Sequence, residues 1–395
     1  MKKILILNPI LPYPPDDGGR LRTYHLIRSL GDKCELDLAS FYLPEEDIES
    51  AAKFYSSLCK NIFFIPQRKS DFSIWSIFNV YRISNENKKE VNEIIRKNGY
   101  DLIIAEKVIM LSYIKSGIFR NYKIAIDSWA VDSNITLQIF LYEKKFLKRW
   151  FYFFKYLRHL FSELYLLSKS DYMIAITDKI HRFYEKIFKK KIYLIQSAVD
   201  VEYYKPAGEK IEKGKMVFVG IMNYYPNIDA AVFFVKEVLP KIRGKIKFKF
   251  YIVGKNPVKE VAELDNASDV IVTGQVEDVR KYFNECEVVV VPLRMGSGLR
   301  NKVIQAMACG KTVIATSEAC EGLDVKDGEN ILIANTVEEF VDKIILVFNN
   351  EQLRIEIEKN ARKYVEENLS YDIIKEKWIN MYEEIFNSDN YSRQT

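Results

Sequence analysis

Histidine is scarce: His25, His159 and His181 are the only three in 395 residues, and no two of them stand at i, i+4. A histidine-built metal centre on one helix face is therefore not offered. Cysteine is sparse too. Cys34, Cys59, Cys286, Cys309 and Cys320 form no C-x-x-C pair and are odd in number, which suggests neither a disulfide framework nor a zinc knuckle and points to a cytoplasmic compartment. No apolar run approaches membrane-spanning length, and residues 1–8 pass straight into prolines without a small-residue cleavage site, so no signal peptide is expected. Charge of one sign is also lacking. With 59 basic against 54 acidic residues the net charge is +5, too weak to announce a nucleic-acid binder, and any basic site must be local. What remains is 48% hydrophobic and 29% charged, a composition that excludes collagen-like and disordered chains. The length suggests two domains of about 150 residues or more.

Residues 4–7 are an apolar run bounded by prolines, too short for a helix, and read as a buried parallel strand. A proline-rich loop follows, with Gly18-Gly19 as a turn, and then helical apolar spacing over 20–30. Further short strands are expected at 35–40, 61–65, 101–105, 123–127 and 172–176, separated by helical stretches. The pattern restarts after a polar, aperiodic run at 207–215. Strands are expected there at 216–219, 247–253, 270–273, 287–291, 312–315 and 330–333. The fold class is α/β, two Rossmann-like doubly wound domains. The divisions are 1–200 and 201–370, with a C-terminal helix and tail at 371–395 expected to cross back to the first domain. That helix carries Ile374, Trp378, Met381, Tyr382 and Ile385 on one face, and 387–395 reads as a frayed tail.

The most informative stretch reads strand, glycine loop, helix, strand over 288–315. Gly296 and Gly298 permit positive φ and bring backbone N–H groups near a ligand, while the following helix aims its positive end at the same place. Arg300 and Lys302 are unfavourable beside a helix N-terminus unless an anion compensates them. A bound diphosphate is one reading, and a tight turn with solvated charges is the other. Gly310-Lys311-Thr312 mimics a P-loop end, but it runs helix to strand, so Gly310 reads as a helix C-terminal glycine. Gly296-Ser297-Gly298 also mimics a dinucleotide fingerprint with Asn301 in place of its third glycine, which keeps an NAD-dependent enzyme open as an alternative.

On these residues the chain resembles the family 4 group of retaining glycosyltransferases, and within it sugar transferases of exopolysaccharide-type clusters. Val219-Gly220-Ile-Met-Asn223-Tyr-Tyr-Pro-Asn227-Ile-Asp229 is similar to that group's opening of the donor domain. Tyr251 to Gly254, Thr273 to Val276, Asp327 to Asn330 and the Trp378 helix also fit. The resemblance implies a GT-B architecture, two such domains facing a cleft. It implies transfer from a UDP- or GDP-linked sugar to a glycan or lipid-linked acceptor, with no cofactor and no metal. Donor contacts would fall on Gly18, Gly19, Gly220, Asn223, Gly254, Val276, Gly296, Ser297, Gly298, Leu299 and Gln305. Many members carry two glutamates where this chain has Ser297 and Gln305. Gln305 can still meet a ribose hydroxyl through its carbonyl oxygen, without charge assistance. The departure keeps a second alternative open, a transferase-like binding protein with weakened turnover.

Transfer leaves negative charge on the departing phosphate, and Arg300 and Lys302 are the residues expected to stabilise it. Glu106, Asp127 and Asp132 lie at or just after expected strand ends where acceptor hydroxyls could bind, although Asp132 reads rather as a helix cap or surface acid, and Asp17, near the Gly18-Gly19 turn, is a further acceptor-side candidate. The segment 143–164 interleaves Phe146, Trp150, Phe153, Phe154, Leu157 and Phe161 with lysines and arginines. It reads either as a core helix with a solvated basic face or as a peripheral contact with an anionic membrane at its inner face.

Overall fold

Residues 4–7 and 288–291 are unbroken apolar runs whose side chains are all fully buried, as strands must be when helices cover both faces of a parallel sheet. A computed structural model of the chain describes residues 1–69, 83–128, 132–142, 145–296 and 298–392. It divides into two units, Met1–Ser197 with Ile374–Thr395, and Ala198–Ile373. In the first unit β1 (Lys3–Asn8), β2 (Glu35–Tyr42), β3 (Asn61–Pro66), β4 (Leu102–Glu106), β5 (Lys123–Ser128), β6 (Tyr172–Ala175) and β7 (Lys191–Leu194) pair in parallel. Their order is β3-β2-β1-β4-β5-β6-β7. In the second, β8 (Lys215–Val219), β9 (Lys249–Val253), β10 (Val270–Gly274), β11 (Val288–Val291), β12 (Thr312–Ala315) and β13 (Leu332–Ile333) do the same. Their order is β10-β9-β8-β11-β12-β13. Chain direction across the sheet reverses between β1 and β4, and again between β8 and β11. Ligands of doubly wound sheets bind beyond the carboxyl ends of strands at such switch points.

Four sequence expectations are corrected. Gly18 and Gly19 are not a turn: the helix Gly18–Leu30 starts on them, and Asp17 is its N-cap, accepting from the Gly19 and Arg20 amides at 3.0 Å each. β7 went unrecognised because it opens on lysines and, at the sheet edge, leaves Lys191 exposed. The last helix runs Tyr371–Ser392, past the expected start of a tail, with Trp378, Met381 and Ile385 buried in the first unit. The basic aromatic helix is Phe146–Leu167 and buries only Ser162, Glu163, Leu166 and Leu167 fully, so it is not a core helix. Ser297 and residues 143–144 lie outside the described residues, as does the side chain of Asp132.

Candidate active site

β8 ends at Val219 and is followed directly by Gly220, while β11 leads through the 292–300 loop into the helix Asn301–Ala308. Arg300 is the N-cap of that helix and makes no side-chain cap bond there, so the helix's positive end is not answered by its own cap. One residue into the helix Lys302 turns back toward β8. Its Nζ donates to Asn227 Oδ1 at 2.6 Å and stands 4.5 Å from the centre of the Phe218 ring. Asn227 is itself fixed, its Nδ2 donating to the Ile221 carbonyl at 2.9 Å. Among the described residues no carboxylate pairs with the Lys302 ammonium. Burial, reinforced by the charge of Arg300, pushes its pKa down to about 7.

Glycine makes this packing possible. A β-carbon on Gly220 would stand 2.7 Å from both Lys302 Nζ and Asn227 Nδ2, and one on Gly254 would stand 1.7 Å from the Gly220 carbonyl oxygen. Gly296 and Gly298 have φ of 135° and 83°, the left-handed side that a glycine bend requires. The expectation of bare amides on this bend needs correction, however. Both glycines are buried, and Arg300 folds back over them, its Nη1 donating to the Gly298 carbonyl at 2.8 Å and its Nη2 lying 3.8 Å from Glu318. The bend therefore presents a guanidinium rather than open backbone. Leu299 and Val276 are partly buried and pack against the core, Asn223 is exposed in the loop after β8, and Gln305 Nε2 donates to the Tyr204 hydroxyl at 3.1 Å. Gly310 ends the helix with φ of 64°, and its amide donates to the Met307 carbonyl at 2.9 Å. Lys311 is tied to the Asn284 carbonyl at 2.8 Å, as no P-loop lysine would be. Phe218 and Asn227 are the positioning residues that spacing alone did not single out. Asn227 stood inside a quoted motif, but its partner was not legible.

The first unit's switch point holds a different cluster. Asn8 Nδ2 donates to Thr23 Oγ1 at 2.9 Å, and Thr23 Oγ1 donates to Glu106 Oε2 at 2.6 Å. Beside them the Arg22 guanidinium forks onto Asp127, both contacts at 2.6 Å. Glu106 and Asp127 are fully buried and Arg22 nearly so. The expectation of three acids open to an acceptor is corrected: Asp127 is occupied by Arg22, Glu106 is buried against Thr23, and Asp17 caps its helix. Burial, and after it the charge of Asp127, raises Glu106 to about 8. The neutral acid is the folded form at neutral pH. A raised carboxyl pKa means that the folded state binds the proton more tightly, so stability is fullest below about 4.5 and declines as pH rises to about 8. The decline is at most about 1.4 kcal/mol per pH unit. Glu106→Gln should remove that slope and leave the fold intact, which urea unfolding at pH 5.5 and 8 would test. An unchanged slope contradicts the assignment.

Residues 213–350 match the family model Glycosyl transferases group 1. Over 388 residues the chain is 25% identical to a 44.6 kDa protein of the cps region of Klebsiella pneumoniae, covering 93% of this chain and 96% of that one. Sucrose-phosphate synthase from Thermosynechococcus elongatus shares the fold with a TM-score of 0.73 at 16% identity, over 98% of this chain and 100% of that one. Anabaena HepE, solved in complex with UDP-glucose, shares it with a TM-score of 0.68 at 14% identity, over 97% and 100%. The match to the glycosyl transferases group 1 model thus falls within the second unit, in a chain of two Rossmann-like units whose fold is that of GT-B glycosyltransferase structures.

Proposed function

We propose that the chain transfers a sugar from a UDP- or GDP-linked donor to a glycan or lipid-linked acceptor in cell-surface polysaccharide or glycoconjugate synthesis. The observation that carries this reading is the meeting of Lys302, Arg300 and an uncapped helix N-terminus at the β8/β11 switch point. Negative charge grows on the leaving diphosphate as the glycosidic bond breaks, and fixed positive groups in a poorly solvated site stabilise that charge most. Two side-chain cations and a helix dipole supply it without a metal ion. The bond in HepE's ligand, UDP-glucose, is of this kind, and the K. pneumoniae relative lies in a cps region. Among the described residues no side chain at the second unit's switch point is placed as a nucleophile. That fits front-face attack with retention, the diphosphate taking the acceptor proton. Cytoplasmic supply of the donor completes the proposal.

Incubation with a panel of UDP- and GDP-sugars in EDTA, with and without polysaccharide or lipid-phosphate acceptors, tests it through release of the nucleoside diphosphate. Release with one donor, abolished in Arg300→Ala, supports the proposal. Binding without release favours the second reading, a transferase-like binding protein, which Gln305 in its bond to Tyr204 motivates. Neither binding nor release across the panel, or binding unaffected by Arg300→Ala, overturns the diphosphate assignment.

A further inference from the structure

The helix Phe146–Leu167 carries the largest run of exposed apolar side chains among the described residues. Phe146 is 72% exposed, Leu147 83%, Phe151 64%, Phe154 61%, Phe161 68% and Tyr165 63%, with Trp150 at 46%. These are not scattered positions. At 100° per residue, Leu147, Phe151, Phe154, Arg158, Phe161 and Tyr165 fall within about 40° of one line along the helix, and Trp150 borders it. The opposite side is the one that packs, through buried Glu163 and Leu167, while Phe153 lies 5.3 Å from Phe140 of the neighbouring helix Asp132–Tyr142. A helix normally turns its apolar stripe inward, so a stripe turned outward over five turns marks a surface with an occupant.

Charge identifies the occupant. Lys145, Lys148, Arg149, Lys155 and Arg158 stand on the same stretch, and no Asp or Glu occurs from 145 to 162. The single acid of the helix, Glu163, is buried, accepting from the Ser133 amide. A second copy docking through this face would set Lys148, Lys155 and Arg158, the three cations on or beside the stripe, against identical ones, with no carboxylate on the stripe to answer them. An anionic lipid surface answers both features at once: headgroup phosphates meet the flanking lysines and arginines, and aromatic rings enter the boundary below. The helix is too charged to cross, and no described helix is long and apolar enough to span a membrane. We infer that the Phe146–Leu167 face is a docking surface for an anionic membrane, lying in its plane with the Leu147 to Tyr165 stripe inserted. This goes beyond the transferase reading and does not depend on it.

The test uses the full chain with vesicles of phosphatidylglycerol and phosphatidylcholine against vesicles of phosphatidylcholine alone, read by co-sedimentation. Binding to the anionic vesicles is expected, weakening more than tenfold on raising salt from low to about 0.5 M and in Phe151→Glu/Phe154→Glu. Both positions are exposed, so the variant's circular dichroism and melting should match the parent's. Lys148→Gln/Lys155→Gln keeps the aromatic stripe and should weaken binding and flatten its salt dependence. Absence of binding to anionic vesicles at low salt overturns the inference, as does equal binding by Phe151→Glu/Phe154→Glu. So does a concentration-dependent dimer that the same variant dissolves, which would make a second copy the occupant.

Discussion

Replacing Lys302 by alanine should lower turnover of a nucleoside-diphosphate sugar by about 100- to 1,000-fold, equivalent to about 3–4 kcal/mol of lost leaving-group stabilisation. The ammonium is bonded to Asn227 and lies over Phe218, and among the described residues no carboxylate shares its charge. Its pKa of about 7 then gives the site a pH signature. Below pH 7 the amine is charged and ready for a diphosphate. Above pH 7 it is increasingly neutral, and ligand binding must draw a proton back from solvent. UDP-glucose is the suitable probe, because its pyrophosphate diester has no proton to lose in this range. Its affinity should fall by up to about tenfold per pH unit above pH 7, until the bound amine itself titrates. Calorimetry at pH 8 in two buffers of different ionisation enthalpy should register uptake of nearly one proton by the parent and none by Lys302→Ala. An affinity that stays flat from pH 6.5 to 9 would remove the charge role from Lys302. Folding responds in the opposite sense. The unfolded chain holds this proton up to the ordinary lysine range, so Lys302's contribution to stability rises with pH between about 7 and 10.5.

The parts of this site that were legible in the sequence are those written in local periodicity. Val288 to Val291 had to be a buried parallel strand because a continuous four-residue apolar run can pack only with both faces covered. Gly310 had to end a helix because a strand pattern begins at Thr312. From such runs the order strand, loop, helix, strand followed, and with it the place of Arg300 and Lys302. What stayed hidden were the pairings between segments. Glu106 and Asp127 do stand at strand ends, as their positions in apolar runs required, yet Arg22 and Thr23, which occupy them, lie 105 and 83 residues earlier in the chain. No spacing rule couples such distant residues. The Phe146–Leu167 helix failed differently. Its amphipathic period was plain, but the period says only that two faces differ, and which face meets the fold depends on whether another element is available to cover the apolar one. Lys191–Leu194 was missed because exposed edge strands tolerate the lysines that argue against a buried strand elsewhere.

The largest stability effect should come from Asp127. Its carboxylate receives both arms of the Arg22 guanidinium, with the pair all but excluded from solvent and the guanidinium 5.3 Å from the Trp378 ring centre. Asp127→Ala leaves that cation buried without its partner, at an expected cost of about 3–5 kcal/mol to the first unit. All four tryptophans, at 75, 129, 150 and 378, belong to this unit, so tryptophan fluorescence follows its unfolding separately from that of the second. A fall in melting temperature of about 6–20 °C is expected. The double variant Arg22→Met/Asp127→Leu should recover most of the loss, because removing both charges also removes their desolvation, and a pair destabilised as much as Asp127→Ala would show that shape rather than charge is at stake. Glu106 provides an internal check. The charge of Asp127 helps to hold its proton in place, and that of Arg22 works against it. With Asp127 gone, Arg22 becomes the nearer influence, Glu106 should ionise at lower pH, and the decline of stability between pH 4.5 and 8 should flatten in Asp127→Ala. A slope as steep as the parent's would mean that Glu106 does not sense this pair, and the buried cluster would then be two independent contacts rather than one coupled network.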